Sequence, residues 1–485
     1  MEGSHSYDLV ILGGGAASFA ALTEASGRGL STALVNTGLP LGGTCVNVGC
    51  VPSKHLLALG ETAATPQENP FDAVQYSDGE PTVDWTGAVD GTDELVERFR
   101  QANYVDVAEQ FETDIYEGYG KLVEDTTIEV VDGVDEGARI TGAKALVATG
   151  SSPWAPPLDG LDDIDYYTSE SILEERDLPE SIVIIGGGYI ALEWGQILHR
   201  VGVDVTILQR SERVLSGMDG QLSREIHCAF EAEGIRISTS NDFQRVRGQV
   251  TDGEAEARQS RVAVETVVDG TERTITGDAL FVATGVQANT EDIGLETVGV
   301  ETNDEGTVQV DEYFRTTNPD VYAAGDVIGE PELEAVAAKE GNHAVKNAFG
   351  EEGVTIDYDA VPAVVFTSPE VASVGTTERE YVDEHGTCSC RTIQMADVPR
   401  AKAVKNTDGF VQVVKHHETD EIVGVHMVGP RGADTIMEAT LAVKFGLTVD
   451  DIIATVHPFP TFSEAFKHAC QAFRRDTSTM SCCVE

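Results

Sequence analysis

The sequence predicts an α/β fold with two doubly wound parallel sheets, followed by a C-terminal α+β domain. The chain has 485 residues, too many for one core, and 41% of them are hydrophobic, as in globular proteins of several domains. Two apolar runs each end in three glycines, Gly13–Gly15 and Gly186–Gly188, and helical patterns follow both. From about Asp357 the pattern changes to strands with helices on one side.

The net charge is strongly negative. Asp and Glu number 83 against 32 Lys and Arg, a formal charge of −51, and the acids are spread along the chain. This balance disfavours nucleic-acid binding, which needs basic patches. We interpret the charge as adaptation to a cytoplasm of very high salt, where screening is nearly complete beyond about 3 Å at 1 M. A surface for cationic partners is the alternative.

The sequence also predicts a cytoplasmic protein without membrane attachment. No apolar run approaches the roughly 18 residues that a membrane helix needs. The chain enters a strand near Tyr7 without a basic and then apolar leader, so we expect no signal peptide. Eight cysteines are too few for a disulfide scaffold and fit a reducing compartment.

The first glycine motif predicts a dinucleotide site. The strand Tyr7–Leu12 leads into Gly-Gly-Gly-Ala-Ala-Ser and a helix ending near Gly27, a G-x-G-x-x-G/A pattern with Ser in the third place. The next strand, Thr32–Val35, ends where an acidic residue usually holds a ribose, and here an amide stands there. The residues expected to bind the dinucleotide are Gly13, Gly15, Ser18 and Asn36.

The second glycine motif repeats this spacing. The strand Ile182–Ile185 precedes it, and the next strand, Asp204–Leu208, is followed by an amide and two arginines instead of a carboxylate. This favours NADPH over NADH, although the arginines could simply balance an acidic surface. The expected nucleotide-binding residues are Gly186, Gly188, Ala191, Gln209, Arg210 and Arg213.

Between the first motif and its domain's return strands lie two cysteines, Cys45 and Cys50, with four residues between them. They stand at the start of a helix predicted over roughly Lys54 to Ala64. A helix N-terminus and the charge of Lys54 both favour a thiolate. The pattern therefore predicts a reactive pair, and a structural disulfide or two unrelated thiols are the alternatives.

The remaining pattern completes the domain plan. Residues 65–90 predict a surface loop, and a helix is expected over Thr92–Gln110. Apolar strands ending in Ala-Thr-Gly recur at Ala145–Gly150 and Ala279–Gly285, and another strand runs into Gly325-Asp326. In the C-terminal part we predict strands at Ala363–Phe366, Phe410–Val414 and Ile422–Val428, and helices from Asp434 and Thr461.

Together these motifs resemble the pyridine nucleotide–disulfide oxidoreductases, flavoenzymes of the glutathione-reductase type. The resemblance implies a Rossmann-like FAD domain over residues 1–155 and 280–355, a Rossmann-like NAD(P)H domain over 156–279, and a dimerisation domain over 356–485. It implies one bound FAD, transient NADPH, a redox-active Cys45–Cys50 disulfide with Cys50 nearer the flavin, and a Lys54–Glu193 pair beside it. Further cofactor-binding residues on this basis are Gly43, Thr44, Lys54, Thr149, Gly150, Gly285, Gly325 and Asp326.

The C-terminal segment Pro460–Glu464 resembles the family's His-Pro-Thr-x-Ser-Glu segment, in which the His and Glu serve the substrate thiol. Here Phe459 replaces the His, and a phenyl ring cannot move protons. His457 lies two residues earlier, out of register. A disulfide substrate is therefore disfavoured, and Glu464 stays as a catalytic candidate.

Within the family, the chain resembles the mercuric reductases over essentially its whole length. The matching segments are Thr44–Lys54, Asp397–Ala401, Leu441–Thr448 and the terminal Cys482-Cys483. Tyr189 matches a tyrosine at their metal site, whereas Phe459 departs from the tyrosine that many of them carry. The resemblance implies a homodimer that reduces Hg(II) to Hg(0), with Cys45, Cys50, Cys482 and Cys483 as metal ligands and the last two supplied by the partner subunit.

Two other readings remain open at this point. A thioredoxin-reductase-like or dihydrolipoamide-dehydrogenase-like enzyme would act on disulfides. A flavoprotein that sequesters soft metals would not turn over at all. Cys388 and Cys390 could also bind metal, although we expect them to be bystanders.

Overall fold

The computed structural model describes residues 5–74, 76, 81–250, 260–350, 353–387 and 389–476. Their strands, in chain order, are β1 (His5–Leu12), β2 (Thr32–Asn36), β3 (Asp114–Glu117), β4 (Tyr119–Glu124), β5 (Thr127–Asp132), β6 (Arg139–Val147), β7 (Ser151–Pro153), β8 (Ser181–Ile185), β9 (Asp204–Leu208), β10 (Arg236–Ser238), β11 (Asp242–Val250), β12 (Ser260–Val268), β13 (Thr271–Gly277), β14 (Ala279–Val282), β15 (Val286–Ala288), β16 (Val321–Ala323), β17 (Ala363–Val365), β18 (Glu370–Gly375), β19 (Cys390–Gln394), β20 (Phe410–Lys415) and β21 (Ile422–Gly429).

The α-helices of the same residues are α1 (Ala16–Gly27), α2 (Gly43–Asn47), α3 (Cys50–Glu68), α4 (Trp85–Arg100), α5 (Asp106–Gln110), α6 (Tyr189–Arg200), α7 (Gly220–Glu233), α8 (Glu334–Phe349), α9 (Glu378–His385), α10 (Pro399–Val404), α11 (Gly432–Lys444), α12 (Val449–Ala454) and α13 (Glu464–Gln471). A π-helical turn, Gln101–Val105, joins α4 to α5. None of the described helices has the length and apolarity needed to cross a bilayer.

The first domain is built on a parallel sheet in the order β3-β2-β1-β6. The C-terminal half of β6 pairs with β16 in parallel, while its N-terminal half joins the antiparallel meander of β5 and β4. Helices α1 and α8 pack together on one face, in a core that includes Leu9, Ile11 and Leu34. The carboxyl ends of the parallel strands therefore face the N-terminus of α1, the predicted phosphate position.

The second domain repeats the plan with the parallel order β10-β9-β8-β14. The helices α6 and α7 share one core with β8 and β9, and the antiparallel strands β11–β13 contribute to the core on the opposite face. The predicted strands Ile182–Ile185 and Asp204–Leu208 are confirmed.

The crossing between the two domains corrects one predicted boundary. Strand β14 pairs with β8 in the second sheet, so the return to the first domain does not begin at residue 280. It begins beyond Gly285, where β15 pairs with β7 in a two-stranded antiparallel ribbon. The chain segments that enter and leave the second domain therefore run side by side.

The third domain is an antiparallel sheet in the order β17-β18-β21-β20-β19, with α11, α12 and α13 packed against it. The three predicted strands are present, and the prediction missed β18 and β19. It also placed a loop at residues 65–90, whereas α3 continues to Glu68 and α4 begins at Trp85. Pro66 lies in the last turn of α3, where loss of one amide donor does not stop the helix.

Candidate active site

The two cysteines lie at the junction of two helices. Cys45 belongs to α2, and Cys50 is the first residue of α3. Gly49 makes the junction possible, since a Cβ there would lie 2.8 Å from the carbonyl oxygen of Thr44. The two cysteine side chains interact, and both line a cavity with Lys54 and Tyr189. The fold thus brings together residues far apart in sequence.

The two thiols differ in acidity. The hydrogen bond from Cys45 lowers the pKa of Cys50 to about 7, and the charge of Lys54 acts in the same direction, while burial opposes them. The same hydrogen bond, burial and the charge of Cys50 raise the pKa of Cys45. Cys50 is therefore the more acidic of the two thiols, and its thiolate form is stabilised by the hydrogen bond from the Cys45 thiol.

Lys54 links the domains at this cavity. Its Nζ lies 2.7 Å from Glu193 Oε2, and the side chain of Glu193 is almost fully buried. The other carboxylate oxygen accepts a hydrogen bond from the backbone amide of Phe366 at 3.0 Å. The Phe366 ring lies under the ammonium group, 4.9 Å from Nζ to the centroid. The lysine is thus fixed between all three domains.

Tyr189 begins α6 and lines the same cavity, with part of its ring exposed. Burial of the phenol and the charges of Glu332 and Asp326 raise its pKa. The hydroxyl therefore stays protonated at neutral pH and can donate a hydrogen bond into the cavity.

The first glycine motif forms a cradle at the N-terminus of α1. Gly13 has φ +113°, and a Cβ there would lie 2.1 Å from the carbonyl oxygen of Ala148. Gly43 packs so closely on Gly15 that a Cβ would lie 2.8 Å from its Cα. A cavity extends from Gly15 along Asn36, Thr44, Thr149 and Gly150. These residues fit the pyrophosphate and ribose of a flavin dinucleotide.

Ser18 has a different place from the one predicted. It is fully buried, and its Oγ donates to the carbonyl oxygen of Gly13 at 2.8 Å. It therefore holds the glycine turn from behind and does not face the cavity. Asn36 lies at the end of β2, and its Nδ2 donates to the carbonyl oxygen of Leu39 at 2.9 Å. Its carbonyl oxygen remains an acceptor suited to a ribose hydroxyl.

The turn at Gly325 and Asp326 is held by side chains that the sequence did not reveal. Gly325 has φ +80°, and its amide donates to Glu340 Oε2 at 2.7 Å. Tyr358 donates its hydroxyl to Glu340 Oε1 at 2.7 Å. Ser151 Oγ donates to Asp326 Oδ2 at 2.7 Å. These bonds fix the turn and leave one oxygen of Asp326 for a polyol.

The second cradle repeats the first. Gly186 has φ +130°, and a Cβ there would lie 2.1 Å from the carbonyl oxygen of Ala283. A Cβ on Gly188 would meet no described atom within 4 Å, so the space before α6 is open to a pyrophosphate. Ala191 is fully buried and serves helix packing. Gly285 accepts a hydrogen bond from the Trp154 amide at 3.0 Å, between the two domain connections.

The strand end beyond this cradle separates the two predicted arginines. Gln209 packs on Gly187 and accepts a hydrogen bond from the Arg210 amide at 2.9 Å, while the Arg210 side chain is exposed. Arg213 instead donates to the carbonyl oxygens of Ser216 and Met218. The prediction that both arginines face a 2′-phosphate is therefore corrected: Arg210 can do so, whereas Nη2 of Arg213 is held by its own loop and its guanidinium lines a different cavity, beside Arg224.

The C-terminal candidates lie apart from the cysteines of their own chain. Glu464 is buried at the start of α13 and accepts a hydrogen bond from the Thr461 amide at 3.2 Å. His457 pairs with Glu438 at 2.7 Å and not with Glu464, while Phe459 is half exposed. Among the described residues, none of the third domain lines the dithiol cavity. Cys388, Cys482 and Cys483 lie outside the described residues.

Two glutamates of the cavity were missed by sequence reasoning. Glu332 and Glu334 follow the Gly325-Asp326 motif and line the cavity beside Tyr189 and the cysteines. Burial and the charges of Asp326 and Glu330 raise the pKa of Glu332 to about 7. Their position six and eight residues after Asp326 could have indicated that they line the cavity, because the chain stays beside the cavity after the turn at Gly325 and Asp326.

Comparison with protein families gives two matches. Residues 7–341 match the pyridine nucleotide-disulphide oxidoreductase family, and residues 361–470 match its dimerisation domain. The second match agrees with the separate antiparallel sheet of the third domain.

Individual relatives align along nearly the whole chain. A mercuric reductase of Streptomyces lividans is 40% identical over 99% of this chain and 98% of its own. One from Staphylococcus aureus is 38% identical over 99% of this chain and 84% of its own. A dihydrolipoyl dehydrogenase of Bacillus subtilis is 33% identical, covering 96% of this chain and 98% of its own.

Among solved structures, the chain is similar in fold to RclA of Escherichia coli, an HOCl-induced flavoprotein disulfide reductase solved as a Cu(II) complex. The TM-score is 0.84 at 23% sequence identity, with 96% of this chain and 99% of the other covered. At this identity the similarity speaks for the fold alone.

Proposed function

Because the chain belongs to the pyridine nucleotide-disulphide oxidoreductases, we propose that this oxidoreductase is an NADPH-dependent mercuric reductase that uses FAD and the Cys45–Cys50 dithiol. A flavin and a pyridine nucleotide follow from the family, whereas FAD, NADPH and Hg(II) are part of the proposal. The observation that carries it is the pair of thiols beside Lys54, in a cavity that reaches from Gly15 of the first cradle to Tyr189, the first residue of the helix after the second cradle.

The cradles support the choice of cofactors. The first would hold FAD at Gly13, Gly15 and Asn36, and the second would hold NADPH at Gly186 and Gly188. When bound, these cofactors supply the two electrons that convert Hg(II) to Hg(0). The preference for NADPH rests on the exposed Arg210 and on the amide at Gln209, where a carboxylate would repel a 2′-phosphate.

The dithiol supplies the metal ligands. Soft Hg(II) prefers thiolates, and Cys50 is the thiol whose pKa is lowered, to about 7. Binding by both sulfurs displaces the proton of Cys45 into solvent. Two-electron reduction then releases Hg(0) and leaves both cysteines as thiolates, one of which takes up a proton again. The Tyr189 hydroxyl and the Lys54 ammonium stand at the same cavity to orient ligands.

Delivery is the part of the proposal that needs two subunits. We propose that Cys482 and Cys483 of the partner subunit collect Hg(II) and transfer it to Cys45 and Cys50. The family match of the third domain to a dimerisation domain supports a homodimer. No described residue of that domain lines the dithiol cavity of its own chain, which suits a site completed by a second copy.

The test is NADPH oxidation by the purified protein in about 2–3 M KCl with excess low-molecular-weight thiol. Hg(II) is compared with lipoamide, oxidised glutathione and thioredoxin disulfide. We expect Hg(II)-dependent oxidation that is lost in the Cys482→Ala, Cys483→Ala double variant. The control Cys228→Ala removes an exposed cysteine of α7 and should keep full activity. Turnover of disulfides without turnover of Hg(II) would overturn the proposal.

A disulfide reductase is the second candidate, because the chain is also 33% identical to a dihydrolipoyl dehydrogenase and keeps Glu464. Against it, Phe459 offers no acid–base group, and His457 is engaged by Glu438. A flavoprotein that only sequesters metal would bind Hg(II) without any rise in NADPH consumption.

A further inference from the structure

A separate cavity lies between the second and third domains, where the loop before α7 meets the start of α9. It is lined by Ser216, Gly217, Arg213 and Arg224 from the second domain and by Arg379 from the third. None of Gly186, Gly188, Gln209 and Arg210, which form the nucleotide cradle, is among its described lining residues. The cavity is therefore distinct from the proposed NADPH site.

Two guanidinium groups converge in this cavity. Nη1 of Arg213 and Nη1 of Arg224 lie 3.5 and 3.8 Å from one point, the position that a Cβ on Gly220 would occupy. The glycine thus leaves open the space between them. Nη2 of Arg213 donates to the carbonyl oxygens of Ser216 and Met218, while its Nε is buried without a hydrogen-bond partner among the described residues.

Neither arginine is neutralised. Within the described part of the chain, no carboxylate lies within ion-pair distance of Arg213 or Arg224. This is notable in a chain with 83 acidic and 32 basic residues. Two like charges held together repel each other. An anion in the space between the two Nη1 atoms would offset this repulsion.

The carboxylates around the cavity are engaged elsewhere. Asp219 accepts a hydrogen bond from the Gln221 amide at 2.7 Å, and Glu378 accepts one from Gln412 Nε2 at 3.1 Å. Glu380 Oε2 accepts from Thr377 Oγ1 at 2.8 Å. Asp383 lies 3.7 Å from Arg379, at the exposed edge. These contacts leave the guanidinium donors of Arg213 and Arg224 for an external acceptor.

We propose that this cavity binds an oxyanion of the phosphate class between Arg213 and Arg224, with Arg379 approaching from the third domain. Guanidinium groups match tetrahedral oxyanions by paired N–H donors, and such bonds are about twice as strong as neutral ones. Because its ligands come from two domains, the bound anion would hold the second domain against the third. The source is either free orthophosphate or the phosphate group of a larger molecule.

The experiment titrates inorganic phosphate into the holoenzyme at constant ionic strength, with KCl as the exchanged salt, and follows binding by calorimetry. We expect saturable binding that Arg224→Gln weakens about tenfold or more, the loss of one charged pair of hydrogen bonds. Arg210→Gln, which removes the exposed arginine of the nucleotide cradle, is the matched control and should leave phosphate binding unchanged.

Three results would overturn the proposal: no saturable phosphate binding, equal affinity in Arg224→Gln, or loss of binding in Arg210→Gln. Loss of binding in Arg210→Gln would place the phosphate in the NADPH cradle. Displacement of that phosphate by 2′,5′-ADP would identify the cradle as its site. If Arg224→Gln does not fold, Arg379→Gln replaces it, with weaker phosphate binding expected and unchanged affinity contradicting the proposal. Binding of 2′,5′-ADP that depends on Arg224 would identify a nucleotide phosphate as the source. These measurements do not depend on Hg(II) turnover.

Discussion

Lys54 Nζ and Glu193 Oε2 lie 2.7 Å apart and join α3 of the first domain to α6 of the second at the dithiol cavity. The pair sets both the charge beside Cys50 and the fit of the two domains. It connects the helix that begins at Cys50 to the helix that begins at the second cradle.

Replacing the lysine tests its effect on the thiol. In Lys54→Met the pKa of Cys50 should rise above about 7, because the charge of Lys54 lowers it. The buried Glu193 would lose its cationic partner, at a cost on the order of 3 kcal/mol in the free energy of unfolding. Alkylation rates of Cys50 against pH and urea unfolding measure the two effects. The exposed Lys339→Met is the control, and an unshifted pH profile in Lys54→Met would contradict the assignment.

The hydrogen bond between the thiols has a larger effect. In Cys45→Ala the pKa of Cys50 should return toward about 8.5, its ordinary value. At pH 7 the thiolate would then fall from about half of the molecules to a few per cent, and alkylation should slow by roughly tenfold. Cys228→Ala serves as the control. A pH profile that still has its midpoint near 7 would show that Cys45 does not donate to Cys50.

The Cys50 thiolate should also be visible optically. In the two-electron-reduced holoenzyme we expect a long-wavelength charge-transfer band from this thiolate to the flavin, and its complete loss in Cys50→Ser. Cys45→Ser should retain the band. If the band survives in Cys50→Ser, Cys50 is not the cysteine whose sulfur faces the flavin.

Tyr358 is expected to control flavin retention through Glu340. Tyr358→Phe removes the hydrogen bond to Glu340 Oε1, which should cost about 1.5 kcal/mol of stability and loosen the Gly325 turn. Flavin release during dilution and the urea midpoint measure these effects. Tyr166→Phe is the control. Unchanged flavin release would mean that Glu340 holds the turn without the phenol.

The high-salt interpretation of the charge also remains a prediction. The thermal midpoint should rise as KCl increases from about 0.1 to 2 M, because screening weakens repulsion among the 83 acidic side chains. Sucrose, which does not screen charge, separates this effect from preferential exclusion. A midpoint that is flat or falls with salt would contradict the interpretation.

The parts of the fold that the sequence predicted correctly are those with local signals. Strands β1, β8 and β9 are apolar runs. The first two are followed by glycine turns, in which Gly13 and Gly186 have positive φ. The two cysteines could be placed at a helix start because the helical pattern that follows them is also local. In contrast, the length of α3 beyond Pro66 and the pairing of β14 depend on packing between distant segments.

Side-chain directions were the least predictable part of the candidate site. The sequence predicted that Arg213 binds the 2′-phosphate of the nucleotide. Its guanidinium instead donates to the carbonyl oxygens of Ser216 and Met218. Glu340 gave no pattern of its own, since its partners Gly325 and Tyr358 lie 15 and 18 residues away. Such contacts arise only once the chain has returned from the second domain.

The paired ribbon of β7 and β15 brings the entry and the exit of the second domain together. Its entry and exit strands lie next to each other, at Ser151–Pro153 and Val286–Ala288. A short linker could therefore bridge the two strands after excision of the segment between them, but the cut would expose the core that Leu56 and Trp85 share with Leu192. Separating the two cradles therefore requires polar substitutions on that shared core in addition to the linker.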